Sequence, residues 1–280
     1  MKVAKYWAEA SSDVEIENKG VMPIHLWRGS NTSEQEAKQR AQAALRELRM
    51  RQPIKRSKNS RYPYGDRPLK EELIDELKTP DGKLFAAITR NSYGALVLNT
   101  KDIMFIDIDF PRPGVFARLL QRWQKSRHPQ TQIGMKLSEW CHDNPKWGMR
   151  VYRTFKGLRV LVTHSTFEPY DQTTTALLEQ FGADELYVRL CKNQQSFRAR
   201  LTPKPWRIDS PYPPNPFPRR TDQQKQAYSQ WLAQYDQKSK GRTVCRLLRT
   251  LGTKARDRNI RQVIEVHDRY CLGADTAPLA

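Results

Sequence analysis

Apolar positions recur along the chain at two spacings, and the switches between them set the expected elements. Short apolar stretches at residues 3–8 and 23–27 read as strands. From residue 34 to 50 the period lengthens, placing Ala37, Ala41, Ala44, Leu45 and Leu48 on one helical stripe, with Ser33 and Glu36 as a capping signal at its start. Residues 51–68 hold two basic runs and the turn-rich Tyr62-Pro63-Tyr64-Gly65-Asp66-Arg67-Pro68, a loop. Residues 69–77 give a short helix that ends at Thr79-Pro80-Asp81-Gly82.

Beyond that turn the pattern becomes sheet-like. Strands at 84–89 and 95–99 flank a turn at 90–94, and 103–110 is a third strand stopped by Pro111 and Pro113. Val115, Phe116, Leu119, Leu120 and Trp123 predict a helix over 115–125, and 133–141 reads as another. A second hairpin covers 149–155 and 158–163 about Lys156-Gly157. A helix at 174–181 closes on Gly182, and strands at 185–191 and 197–201 follow.

This order predicts an α+β fold with a mixed or antiparallel sheet and flanking helices. Three regions result: an N-terminal α/β segment with a basic loop (1–83), a core (84–210), and a C-terminal region (211–280). The last opens with five prolines in 211–220 as an extended strap. Two amphipathic helices then form a basic helical appendage, one marked by Ala227, Tyr228, Trp231, Leu232 and Tyr235, the other by Ile260, Val263, Ile264, His267 and Tyr270.

Charge changes the picture most. The 280 residues carry 49 Lys and Arg against 30 Asp and Glu, a net +19, with mean hydropathy −0.80. Counterion release from phosphates rewards clustered cations, so a polyanionic partner is expected. Residues 46–61 carry seven basic side chains against Glu47, 189–207 carry six with no acid, and 238–261 carry nine against Asp257. Arg51, Lys55, Arg56, Lys58, Arg61, Arg246 and Arg249 are the candidate contacts to single-stranded DNA or RNA, with interleaved aromatics such as Tyr62, Tyr64, Phe197 and Trp206 suited to base stacking. No apolar run approaches the roughly 20 residues that span a bilayer, and the start lacks the apolar centre of a secretory signal, so a cytoplasmic protein without membrane partner is expected. Cys141, Cys191, Cys245 and Cys271 form no CxxC pair, and neither a zinc ribbon nor a disulfide scaffold is indicated.

The stretch Ile103-Met104-Phe105-Ile106-Asp107-Ile108-Asp109-Phe110 is the most informative. Side chains two apart on a strand share a face, so Asp107 and Asp109 project together while Ile106, Ile108 and Phe110 turn to the core. Two carboxylates so placed repel unless a cation sits between them, and a hard divalent ion shared with phosphates meets that need. Exposed acids at a strand end are the plain alternative.

Farther along come the hairpin Tyr152-Arg153-Thr154-Phe155-Lys156-Gly157-Leu158-Arg159, then Gly182-Ala183-Asp184, then Phe197-Arg198-Ala199-Arg200 and Lys204-Pro205-Trp206. This succession resembles the catalytic half of the archaeo-eukaryotic primase superfamily, the primase-polymerases, over residues 84–207. There a DxD strand precedes a hairpin with a small-residue-x-His motif, and a third acid precedes a basic, aromatic strand. The resemblance implies an RRM-like core in which Asp107, Asp109 and Asp184 bind Mg²⁺ or Mn²⁺ and catalyse nucleotidyl transfer from nucleoside triphosphates. It places Thr154, Arg159, Arg198 and Lys204 near the nucleotide. The histidine of the second motif is absent. Arg159 is its nearest counterpart, and His164 at the hairpin's end reads as structural or exposed. Arginine can clamp a triphosphate, so nucleotide binding survives the change more readily than polymerisation. A non-catalytic nucleic-acid binder and a metal-dependent nuclease remain open beside the primase reading.

Overall fold

Eight of the ten strands among the described residues form two four-stranded antiparallel sheets, ordered β10-β7-β8-β6 and β3-β4-β5-β9. The computed structural model describes residues 1–17, 20–50, 69–111 and 128–280. The helix expected over 115–125 and the basic loop of 51–68, with Arg51, Lys55, Arg56, Lys58 and Arg61, lie outside the described residues.

At the N-terminus β1 (Tyr6–Ile16) and β2 (Gly20–Ser30) pair as an antiparallel hairpin longer than the apolar stretches predict. Helix α1 (Glu34–Met50) lies on it and buries Ala37, Ala41 and Leu45, as its stripe requires. Ser33 Oγ accepts the Glu36 amide at 3.1 Å, whereas the Glu36 carboxylate turns to Ser30 and Arg40.

The second sheet holds β3 (Glu72–Lys78), β4 (Leu84–Arg90), β5 (Leu96–Thr100) and β9 (Phe197–Arg200). The helix expected at 69–77 is therefore a strand. Leu69, Leu73 and Leu77 recur every four residues, yet pairing with β4, through two register shifts, decides the conformation. Gly94, in the β4–β5 turn, has φ +91°, and a Cβ there would stand 2.1 Å from the Trp231 ring.

The first sheet holds β6 (Phe105–Asp109), β7 (Gly148–Thr154), β8 (Gly157–Val162) and β10 (Cys245–Gly252). β10 was not expected as a strand. Its register shifts between Leu247 and Arg249, which breaks the alternation a strand normally shows, and most of its side chains are exposed. Helices α2 (Pro129–Asp143), α3 (Gln172–Gln180), α4 (Glu185–Gln194) and α6 (Arg258–Cys271) contribute Leu137, Leu178, Val188 and Val263 to the core shared by both sheets. The C-terminal segment is thus partly core, since β10 extends the sheet that bears β6. Helix α5 (Asp222–Ser239) opens with a Thr221/Gln224 capping box. It docks on the preceding segment through Trp231 Nε1 to the Pro211 carbonyl (2.9 Å) and Tyr235 Oη to the Pro203 carbonyl (2.6 Å). The architecture is α+β, with six helices among the described residues, none long and apolar enough to cross a membrane.

Candidate functional site

On β6, Ile106 and Ile108 are buried on one face, while Asp107 and Asp109 project from the other, half-buried and exposed respectively. β6 is the sheet's outer strand, and the start of α4 closes its free side. The Asp184 amide donates to the Asp107 carbonyl at 3.0 Å, and Tyr187 Oη donates to the Phe105 carbonyl at 2.8 Å. Asp184 lies at the mouth of a helix, because the strand expected at 185–191 is α4: Tyr187, Val188 and Cys191 bury one helical face. Asp184 Oδ1 caps that helix by accepting the Tyr187 amide at 2.9 Å.

The three acids share one electrostatic field. The Asp109 carboxyl is pushed above its ordinary value by burial first, then by the charges of Asp107 and Asp184. At its end of β6, Asp109 pairs with Gly157, where a Cβ would meet the Ile108 carbonyl oxygen at 1.9 Å. Only glycine lets the hairpin turn approach this closely.

Cations oppose the acids. Arg159 on β8 is paired in register with Asp107, its Nε 3.8 Å from Asp107 Oδ1 and its Nη1 donating to the Arg200 carbonyl at 2.8 Å. Burial disfavours the Arg159 charge, but Asp107 and neighbouring groups outweigh it and hold the guanidinium above its usual range. Burial, then Arg200 and Arg207, push Lys204 down to about 8, with Asp107 opposing. Burial and Arg200 likewise push Arg207 down to about 10, against Asp109 and Asp107. Arg200 is lowered by burial, with Arg159 adding to the effect and Asp107 resisting it. Arg200 and Arg207 were not singled out in the sequence, although both belong to its acid-free basic stretch.

Aromatic side chains border this charge. Phe155 is exposed with the Arg207 guanidinium 4.4 Å from its ring centre. Lys204 Nζ lies 5.3 Å from the Trp206 ring, which faces Tyr212 at 5.5 Å between centroids, and both rings are exposed.

Other expected nucleotide contacts are engaged elsewhere. Arg198 is locked in a buried ion pair with Glu71 (2.7 and 2.9 Å) and donates to Asn99 Oδ1 at 2.5 Å, so its guanidinium is committed to the β3-β4-β5-β9 sheet. Thr154 Oγ1 accepts the Gly157 amide at 3.2 Å, a turn-forming role. Arg246 donates to the Ala277 carbonyl and is half-buried, whereas Arg249 is exposed, with one 3.5 Å contact to Ser138 Oγ. His164 packs against Trp147, centroids 4.4 Å apart, and burial lowers its pKa.

As hard oxygen donors Asp107 and Asp109 suit Mg²⁺ or Mn²⁺, which are commonly held by one or two carboxylates together with substrate phosphates. Asp184 fits less well as a third ligand, since one of its oxygens holds the α4 cap. Among the described residues, the group of three His, Cys, Asp or Glu side chains whose ligand atoms all lie within 4.8 Å of one another is Cys245, His267 and Cys271; the three acids make no such group.

No family model, no curated protein and no solved structure matches the chain.

Proposed function

We propose that the chain is a metal-dependent nucleotidyltransferase of the primase-polymerase kind, acting on single-stranded DNA or RNA with nucleoside triphosphates. The supporting observation is the paired carboxylates Asp107 and Asp109 on the outer strand β6, joined at the backbone to Asp184 and faced by Arg159, Lys204 and Arg207. Acids in the midst of cations suit a triphosphate, whose charge requires both a divalent ion and basic side chains. On this reading the two sheets make an RRM-like, primase-type core, and the protein works in the cytoplasm.

Bound Mg²⁺ or Mn²⁺ would neutralise phosphate charge and favour attack by a 3′-hydroxyl, which gives up its proton, on the α-phosphate, with the α–β anhydride bond breaking and pyrophosphate leaving. The chain's own groups do the rest. Lys204 and Arg207 bind phosphate oxygens, and Arg207 comes from the short 3₁₀ turn Pro205–Arg207 that sets it beside Phe155. Arg159 stands where the family's histidine would be, but its side chain is 5% exposed and points along Asp107. It therefore positions the carboxylate and does not itself clamp the triphosphate. Asp184 acts chiefly through the α4 cap and its backbone bond to Asp107.

The buried Arg159 favours one other reading, a nucleic-acid binder that keeps the sheet without the reaction. Primer extension with labelled nucleotides and Mg²⁺ or Mn²⁺ separates the two. Incorporation by the wild type that is lost in both Asp107→Ala and Asp109→Ala is the expected result. Incorporation indifferent to both changes rejects the proposal, and strand cleavage without incorporation points instead to a nuclease.

A further inference from the structure

Cys245, the first residue of β10, and His267 and Cys271, four residues apart on one face of α6, are all fully buried and bring one ligand atom each within 4.8 Å. We propose that these three side chains bind a thiophilic divalent cation of the zinc class, and that this site fastens β10 and α6 beneath Arg159. The inference is independent of the nucleotidyltransferase reading.

Two sulfurs and an imidazole are the donor set that soft or borderline ions prefer over Mg²⁺ or Mn²⁺. A second observation concerns the histidine's orientation. His267 Nδ1 lies 3.0 Å from Asp268 Oδ1, and that carboxylate is itself held by Tyr152 Oη (2.7 Å) and Arg150 Nη2 (2.5 Å). A carboxylate fixed in this way accepts a hydrogen bond from Nδ1–H and leaves the lone pair on Nε2, the carboxylate–histidine–metal pattern of many zinc sites. Arg159 Nη1 stands 3.4 Å from Nε2, beyond ordinary hydrogen-bond length, and makes its good bond to the Arg200 carbonyl. The cysteine backbones are also joined, because Thr243 Oγ1 lies within hydrogen-bond reach of the carbonyls of both Cys245 (2.9 Å) and Cys271 (2.7 Å) and shares its one proton between them.

Charge closes the argument. Without metal, Cys271 Sγ makes long contacts to the carbonyls of Arg200 and Leu201 and a thiol–thiol hydrogen bond with Cys245. When the ion binds, each cysteine forms a sulfur–metal bond and releases its proton to solvent, so two thiolates and a neutral imidazole balance the dication. Three protein ligands leave a further coordination position.

The test uses the full chain, purified under reducing conditions and freed of metal by chelation, then titrated with Co²⁺ as an optical probe and with Zn²⁺ in competition. The expected result is thiolate-to-cobalt charge-transfer absorption saturating at about one ion per chain, displaced by Zn²⁺, as a site of sulfur and nitrogen donors requires. Cys271→Ser and His267→Asn should abolish the band, and Asp268→Asn, which touches no metal, should weaken Co²⁺ binding by about 10- to 100-fold with the far-ultraviolet dichroism retained. No charge-transfer band in folded wild type overturns the proposal, as does a band that persists unchanged in folded Cys271→Ser. If both ligand variants fail to fold, the wild-type titration and the Asp268→Asn shift still decide.

Discussion

Arg159 and Asp107 face each other across the β6–β8 ladder, Nε to Oδ1 3.8 Å, with the arginine side chain 5% exposed and the aspartate 42%. The asymmetry matters because the buried member carries the larger desolvation cost. Removing Asp107 leaves a guanidinium enclosed without its carboxylate, whereas removing Asp109 relieves repulsion among three acids. Asp107→Ala should therefore lower stability by about 1–3 kcal/mol, less than a fully buried pair because one partner meets water. Asp109→Asn should leave stability at neutral pH unchanged or raised. Urea denaturation of the two variants checks this, and equal losses would mean that Arg159 does not depend on Asp107.

The paired acids were legible in the sequence because a strand's alternation is local and places Asp107 and Asp109 on one face whatever the remainder does. Helix α1 was legible for the same reason, its stripe and cap lying within 17 residues. β3 was not, since its four-residue leucine spacing is helical and only the pairing with β4 makes it extended. At 185–191 the error ran the other way. Apolar, β-prone residues there form α4, capped by the acid expected to precede a strand. The nearness of Arg200 and Arg207 to the acids depends on the chain returning through β9 and the 205–207 turn, which no local pattern reports. Cys245, His267 and Cys271 escaped notice because the ligand spacing spans a strand and a helix, not a CxxC pair.

Lys204 gives a pH prediction. Its folded value of about 8 lies below the ordinary lysine value of 10.5, so the ammonium is disfavoured by burial beside Arg200 and Arg207. The unfolded chain holds the proton more tightly, and this group's contribution to stability rises as pH increases from about 8 toward 10.5. Phosphate binding runs the opposite way, because it needs the charged form. Affinity for a nucleoside triphosphate should fall about tenfold between pH 7 and pH 9, one pH unit above the folded value, and Lys204→Arg should flatten that limb. Equilibrium binding at the two pH values tests it, and identical slopes for wild type and variant would remove Lys204 from the phosphate site.

Arg198 and Glu71 form an ion pair in which each side chain is 9% exposed. Breaking such a pair strands a charge away from water, so Arg198→Met and Glu71→Gln should each cost about 3–5 kcal/mol in chemical denaturation. Nucleotide affinity per folded molecule should not change. A tenfold loss of affinity with stability intact would return Arg198 to the nucleotide site, where the family resemblance alone had placed it.

Trp206 and Tyr212 are 46% and 63% exposed, face each other, and stand beside Lys204. Trp206 also meets the Tyr93 ring edge-on at 5.3 Å, but two adjacent exposed rings next to the half-buried Lys204 match what unpaired bases require: a flat apolar surface with phosphate-seeking charge at its edge. Trp206→Ala should weaken binding of a short single-stranded oligonucleotide by about 1–3 kcal/mol, the usual value of one stacked base, and Tyr212→Ala by a similar amount. The salt dependence should separate stacking from charge. Each variant should keep the wild-type slope of log affinity against log salt, because no phosphate contact is lost, while Arg249→Ala should reduce the slope by about one with little effect on stacking. Fluorescence titration at three salt concentrations measures both quantities. Loss of slope in Trp206→Ala would mean that the ring acts by holding Lys204 in place, since that ammonium lies 5.3 Å from the ring centre.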